Sequence, residues 1–160
     1  MQSRPNPFFS GAGLDRGDAL RADSARLQQL AADPLARVLV WDSAGPAVGP
    51  DGKLQWRELS GPSLFLGLAD DGSPRFCPLH RPAGDSRAAL PMLANLSEEE
   101  GPLFATALSL ARWHSGHRFC PGCGAESEIA RGGWSRFCTG CSAEHFPRVD
   151  PVVIMLAEHD

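Results

Sequence analysis

Five cysteines are the residues most able to do chemistry in this chain, and four of them come in pairs, Cys120-Pro-Gly-Cys123 and Cys138-Thr-Gly-Cys141. The fourteen residues Gly124 to Phe137 separate the pairs. Thiolates bind borderline metals, and two C-x-x-C knuckles at this spacing close a tetrahedron of sulfurs around one Zn²⁺. The glycine before the second cysteine of each knuckle is read as the residue that lets the turn present both sulfurs. Four thiolates leave no position for water, so the metal is structural and contributes apparent binding free energy on the order of 10 kcal/mol to folding. A redox pair is the rival reading of either C-x-x-C taken alone. His114, His117 and His145 flank the knuckles and could replace a thiolate, but four sulfurs satisfy the ion, so all three are expected at the surface or as caps. Cys77, between Phe76 and Pro78, has no adjacent base and reads as a small buried hydrophobe rather than a nucleophile.

Other catalytic signatures are missing from the 160 residues: no G-x-x-x-x-G-K-[ST] loop, no G-x-S-x-G elbow and no H-E-x-x-H pair. The acidic cluster Glu98-Glu99-Glu100 could hold Mg²⁺, but Ser97 to Glu100 has the spacing of a capping box, and carboxylates at a helix start complement its dipole.

Several elements must position these residues. Asp23 or Ser24 predicts the cap of a short helix through Ala32, with Leu27 and Leu30 on one side, and Asp33-Pro34 ends it. Arg37–Trp41, the stretch around Leu54, Trp56 and Leu59, and Ser63–Leu68 predict strands. The turn Asp70–Ser73 folds the last of these back onto Arg75–Leu79, where Pro78 suggests an edge or an end. Leu103, Ala107 and Leu110, with Phe104, Leu108 and Ala111, mark the apolar stripe of a helix running to about Ser115 and stopped by Gly116. Glu126–Ala130 and Trp134–Phe137 flank Gly132-Gly133 as a hairpin with a tight glycine turn. Val152–Ala157 reads as a strand buried on both faces. Such a strand needs neighbours, and the expectation is that the chain is a fragment of a longer protein.

The fold class expected is α+β: an arm over 1–17, a small, mostly antiparallel domain over 18–115, a zinc ribbon over 116–148, and over 149–160 the start of a further domain. A net charge of -4, with one lysine, argues against a broad nucleic-acid footprint, which needs clustered cations on one face. No signal-like or membrane-length apolar run occurs, so the expected location is cytoplasmic, with no membrane partner.

The runs Trp113–Gly124, Gly132–Trp134, Cys138–Cys141 and His145–Met155 together resemble the middle of the NADH pyrophosphatase family of Nudix hydrolases. That resemblance implies an N-terminal Nudix-like domain, a zinc ribbon and a catalytic Nudix domain in that order, in a homodimer. It further implies Mg²⁺- or Mn²⁺-dependent hydrolysis of NAD(H) to NMN(H) and AMP, and in some members removal of NAD caps from RNA. The family's glutamate box, G-x5-E-x7-R-E-x2-E-E-x-G, is missing here. Its nearest echo, Glu98-Glu99-x-Gly101, puts His80, Ser86, Ala94 and Asn95 where Gly, Glu, Arg and Glu are required. Among substrate-side positions, Phe146 matches an aromatic, usually Tyr, that contacts the dinucleotide, and Arg87 matches a substrate-contacting arginine. Packing at the base of the ribbon is the alternative for Phe146, and a solvated loop position for Arg87. The ribbon position that is Glu in some members is Gly133 here.

On this reading the chain is the first part of a NAD(H) diphosphatase, with no catalytic residue of its own and inactive alone. The rival from another class is a stand-alone zinc-ribbon module that binds nucleic acid or protein; a zinc-stabilised dimerisation scaffold is compatible with the first reading.

Overall fold

A computed structural model describes residues 13–42, 44–79 and 86–148, without the side chains of 86–88 and 90. The start of the predicted arm and the run Val152–Ala157 lie outside the described residues. The arm's last residues are tied down: Leu14 is buried, and Asp15 exchanges two backbone hydrogen bonds with Leu68.

After the single turn α1 (Asp18–Arg21) comes α2 (Ser24–Ala31), whose N-cap Asp23 accepts a hydrogen bond from the Arg26 amide, as its sequence predicts. Strands β1 (Arg37–Leu39), β2 (Trp56–Glu58), β3 (Ser63–Leu68) and β4 (Pro74–Pro78) form one sheet in the order β2-β1-β4-β3. The β3–β4 hairpin is antiparallel as expected, whereas β1 and β4 run parallel, with Val38 opposite Phe76. Strand β4 is therefore interior, and Pro78 marks its end rather than a sheet edge; the ladder continues through the Leu79 amide to Pro62 O.

Alternation along these strands builds two apolar layers. Leu39, Leu64, Leu66 and Cys77 face the long helix α3 (Gly101–Gly116), meeting Leu103, Phe104, Ala107, Leu110 and Ala111. Val38, Phe65 and Phe76 face the other way, onto Leu30, Ala36 and the α2 residue Leu27. Cys77 is fully buried, its Sγ 3.7 Å from Ala107 O, and burial pushes its thiol far up, which suits a packing residue and not a nucleophile.

The capping box does not form. Glu100 occupies the N-cap position with helical backbone angles (φ -87°, ψ -16°) and no side-chain cap, Pro102 fills the first turn, and Ser97 O takes the Glu100 amide in a turn instead. A 3-10 helix over Ser86–Asn95, where the sequence signalled no element, precedes it.

Beyond α3 a second, three-stranded antiparallel sheet contains β5 (Ser127–Ala130), β6 (Ser135–Cys138) and β7 (Glu144–His145). The predicted hairpin is β5–β6, turned by Arg131–Gly133 with Gly132 at φ 62° and Gly133 at φ 102°.

Candidate functional site

The two knuckles are near copies of one another. Cys120 N donates to Ala125 O at 2.8 Å and Cys138 N to Ala143 O at 2.8 Å; Gly124 N returns to Cys120 O at 2.9 Å and Ser142 N to Cys138 O at 3.0 Å. The left-handed residue in each is the one after the second cysteine, Gly124 (φ 77°) and Ser142 (φ 60°), not the glycine before it. Gly122 and Gly140 serve otherwise: their amides point at Cys120 Sγ and Cys138 Sγ, each at 3.4 Å. A Cβ on Gly140 would also lie 2.7 Å from Ala125 Cβ, so only glycine lets the knuckles approach there.

All four sulfurs fall within 4.8 Å of one another, with Cys120–Cys141 at 3.6 Å and Cys123–Cys138 at 3.4 Å. A tetrahedral Zn²⁺ with bonds of about 2.3 Å needs sulfurs about 3.8 Å apart, so the donor set fits structural zinc. The Cys141 amide, helped by that of Gly140, draws the Cys138 thiol down to about 6, poising it as a thiolate. At Cys141 the Ala143 amide acts the same way, but the neighbouring sulfurs of Cys138, Cys123 and Cys120 outweigh it and push the thiol up to about 12.

The ribbon is keyed to the first sheet by its hairpin turn. Trp134 Nε1 donates to Phe65 O at 2.7 Å, and the Arg21 guanidinium lies over the indole, 3.6 Å from its centroid. Gly133 sits so close to β3 that a Cβ there would be 2.6 Å from Leu64 Cδ2.

His114 corrects the expectation of a surface or capping histidine: it is only 3% exposed. Its Nε2–H donates to Gly133 O at 2.7 Å and its Nδ1 accepts from Arg136 Nη1 at 3.1 Å, a tautomer fixed because guanidinium can only donate. Arg136 also binds Ser127 through Oγ at 2.8 Å and through its carbonyl. The imidazole thus ties α3 to the hairpin turn and to β6, and Arg136 carries the link on to Ser127 of β5. Burial foremost, with the Arg136 charge adding to it, holds His114 below the usual histidine value despite the Gly133 hydrogen bond. Its contribution is complete above the unfolded value near pH 6.5 and is lost as pH falls from there through the lowered folded value. We expect urea midpoints to drop on acidification across that range, and His114→Gln, which keeps one donor and one acceptor but cannot titrate, to show a shallower drop at equal zinc content. Parallel slopes would contradict this assignment.

His117 is the cap foreseen, following the last turn of α3 with both its amide and Nδ1 on Trp113 O. His145 is half-buried, with Nε2 3.3 Å from Cys120 Sγ, an N–H···S contact beside the metal site rather than a surface position.

Of the substrate-side residues, Phe146 stands 52% exposed and borders two cavities. One, of about 490 Å³, is lined by Trp113, His117, Phe119, Pro121, Glu144, His145 and Arg148 as well. The other, of about 250 Å³, adds Asp18, Arg21, Arg131, Trp134 and Pro147. Arg87 belongs to the 3-10 helix, and its side chain lies outside the described residues. Sequence reasoning missed Arg21 and Trp134, because nothing local shows that the ribbon turn docks on β3.

A small α+β domain with a four-cysteine ribbon docked on it defines a zinc-ribbon protein. Residues 115–146 match the NADH pyrophosphatase zinc ribbon domain. The whole chain is also 33% identical, over 182 aligned positions, to the NAD-capped RNA hydrolase NudC of Mycobacterium tuberculosis. The chain thus carries the zinc ribbon of the NADH pyrophosphatase family, and the likeness to such relatives extends along its whole length. NudC of Mycobacterium bovis is equally similar, and human NAD-capped RNA hydrolase NUDT12 is 33% identical over 122 positions, 71% of this chain. The chain spans 55% of the length of the mycobacterial relatives and 25% of the human one. Among the described residues no helix is long and apolar enough to cross a membrane.

Proposed function

We propose that this chain is the amino-terminal and ribbon portion of a cytoplasmic, homodimeric NAD(H) diphosphatase that hydrolyses NAD(H) to NMN(H) and AMP and removes NAD caps from RNA. Residues 18–115 are its Nudix-like domain, 116–148 its ribbon and 149–160 the start of its Nudix domain. Cys120, Cys123, Cys138 and Cys141 are the zinc ligands, and Arg87 and Phe146 contact substrate.

The observation that carries this reading is the position of Phe146: a large, half-exposed aromatic fixed five residues after the last ligand, bordering a cavity that also holds Arg21 and Arg131. A ring face stacks on a flat heterocycle, and guanidiniums match a diphosphate. The names of the mycobacterial and human relatives agree with such a substrate. Phenylalanine keeps the stacking face of the family's tyrosine without its hydroxyl. Zinc, held by four sulfurs with no open position, shapes this wall and takes no part in the hydrolysis. Mg²⁺ or Mn²⁺ would supply the charge stabilisation at the diphosphate, held by the glutamate box that these 160 residues do not contain.

The chain alone therefore binds zinc without turning over substrate. Incubated with NADH and either Mg²⁺ or Mn²⁺, the purified 160-residue protein should release no NMNH or AMP above the metal-only background by chromatography. Turnover at an enzymatic rate would overturn the assignment.

A further inference from the structure

The larger cavity beside Phe146 has a chemistry of its own. Phe119 stands 60% exposed at its rim, and the Trp113 and His117 rings stack within it at 5.3 Å and 26°. Because His117 Nδ1 is engaged by Trp113 O at 2.9 Å, Nε2 of the neutral ring is left as an acceptor. Glu144, in the same cavity, accepts from Ser135 Oγ at 2.6 Å through Oε1, which leaves its second oxygen as another acceptor. Several π faces with acceptors at the edge match a flat heterocycle carrying amino donors, and a volume near 490 Å³ suits one such ring with its sugar.

We infer that this cleft stacks an unpaired adenine, guanine or cytosine of the RNA strand that follows the cap. The inference rests on the proposed reading for RNA as the substrate and leaves the dinucleotide to the arginine-lined cavity. It also reconciles RNA contact with the chain's net charge of -4: stacking on the rings, beside one lining arginine, Arg148, supplies most of the affinity without a broad basic face.

Fluorescence anisotropy of a labelled, uncapped oligoadenylate against the zinc-loaded chain tests this. Saturable binding is expected, weakened roughly tenfold by Phe119→Ala, the loss of one base–aromatic stack. Phe119→Tyr should restore it, and Phe137→Ala, at an exposed ring outside the cleft, should leave it unchanged. Oligouridylate, without amino groups, should bind more weakly. The inference is overturned if the oligoadenylate does not bind, if Phe119→Ala binds as tightly as wild type, or if uridylate binds equally. No cap and no hydrolysis enter this assay. Its failure would leave the diphosphatase reading intact, and NADH turnover by the chain would leave the stacking site intact.

Discussion

Removing zinc with a chelator should unfold residues 116–148 while the four-stranded sheet keeps its core, and restoring zinc should refold them. The ribbon has almost nothing else to hold it. Its strands are four, four and two residues long, and its buried side chains are cysteines and the polar Ser127, Ser135 and Arg136 rather than aliphatics. Metal ligation on the order of 10 kcal/mol is comparable with the whole stability of an ordinary domain, so its loss cannot be offset by the Trp134 and His114 contacts. Cys138→Ser, at a fully buried ligand of the second knuckle, should act in the same direction. Limited proteolysis and zinc content read both: cleavage within 116–148 only after chelation or substitution supports the account. Equal protection of the zinc-free chain would contradict it.

Gly133→Ala should destabilise the protein by about 3 kcal/mol, combining a non-glycine residue at φ 102° with a Cβ placed 2.6 Å from Leu64 Cδ2 and 2.8 Å from Leu64 Cβ. Leu64 is fully buried on β3 and cannot retreat, so the ribbon turn must lift, straining both Trp134 Nε1 on Phe65 O and Gly133 O on His114. In a chain of this size that corresponds to a melting temperature lower by about 10 °C. Gly72→Ala is the control, with φ 79° but no atom within 4 Å of its Cβ, and should cost about 1 kcal/mol. Equal losses in the two variants would mean that close docking of the turn on β3 is not what Gly133 provides.

The parts legible in the sequence were those written locally. Paired C-x-x-C spacing brought four sulfurs together, and the Leu103, Ala107, Leu110 stripe gave α3 its buried face. His114 was legible too, four residues beyond Leu110 and three beyond Ala111 on that same stripe, a period that marks a buried position despite the nearby cysteines. The capping box failed because Pro102 and a helical Glu100 left no extended N-cap, a backbone outcome that side-chain spacing does not encode. The glycines before each second cysteine were legible as turn residues, whereas the left-handed positions at Gly124 and Ser142 were not, since they follow from the chain turning back after the second sulfur is delivered. Strand β7 is two residues long, too short for any period. The docking of Gly133 and Trp134 on β3, and with it the cavity at Arg21, joins segments some seventy residues apart and follows from shape alone.

The four cysteines remain the centre of the account, now as the joint that fixes Phe146 and the ribbon turn against the first domain. Zinc-edge X-ray absorption of the purified chain tests that most directly. The account predicts one zinc per chain with four sulfurs at about 2.3 Å and no lighter scatterer in the first shell. A nitrogen or oxygen in place of a sulfur, from His145 or from water, would contradict the closed structural site and reopen the metal as a participant in the chemistry.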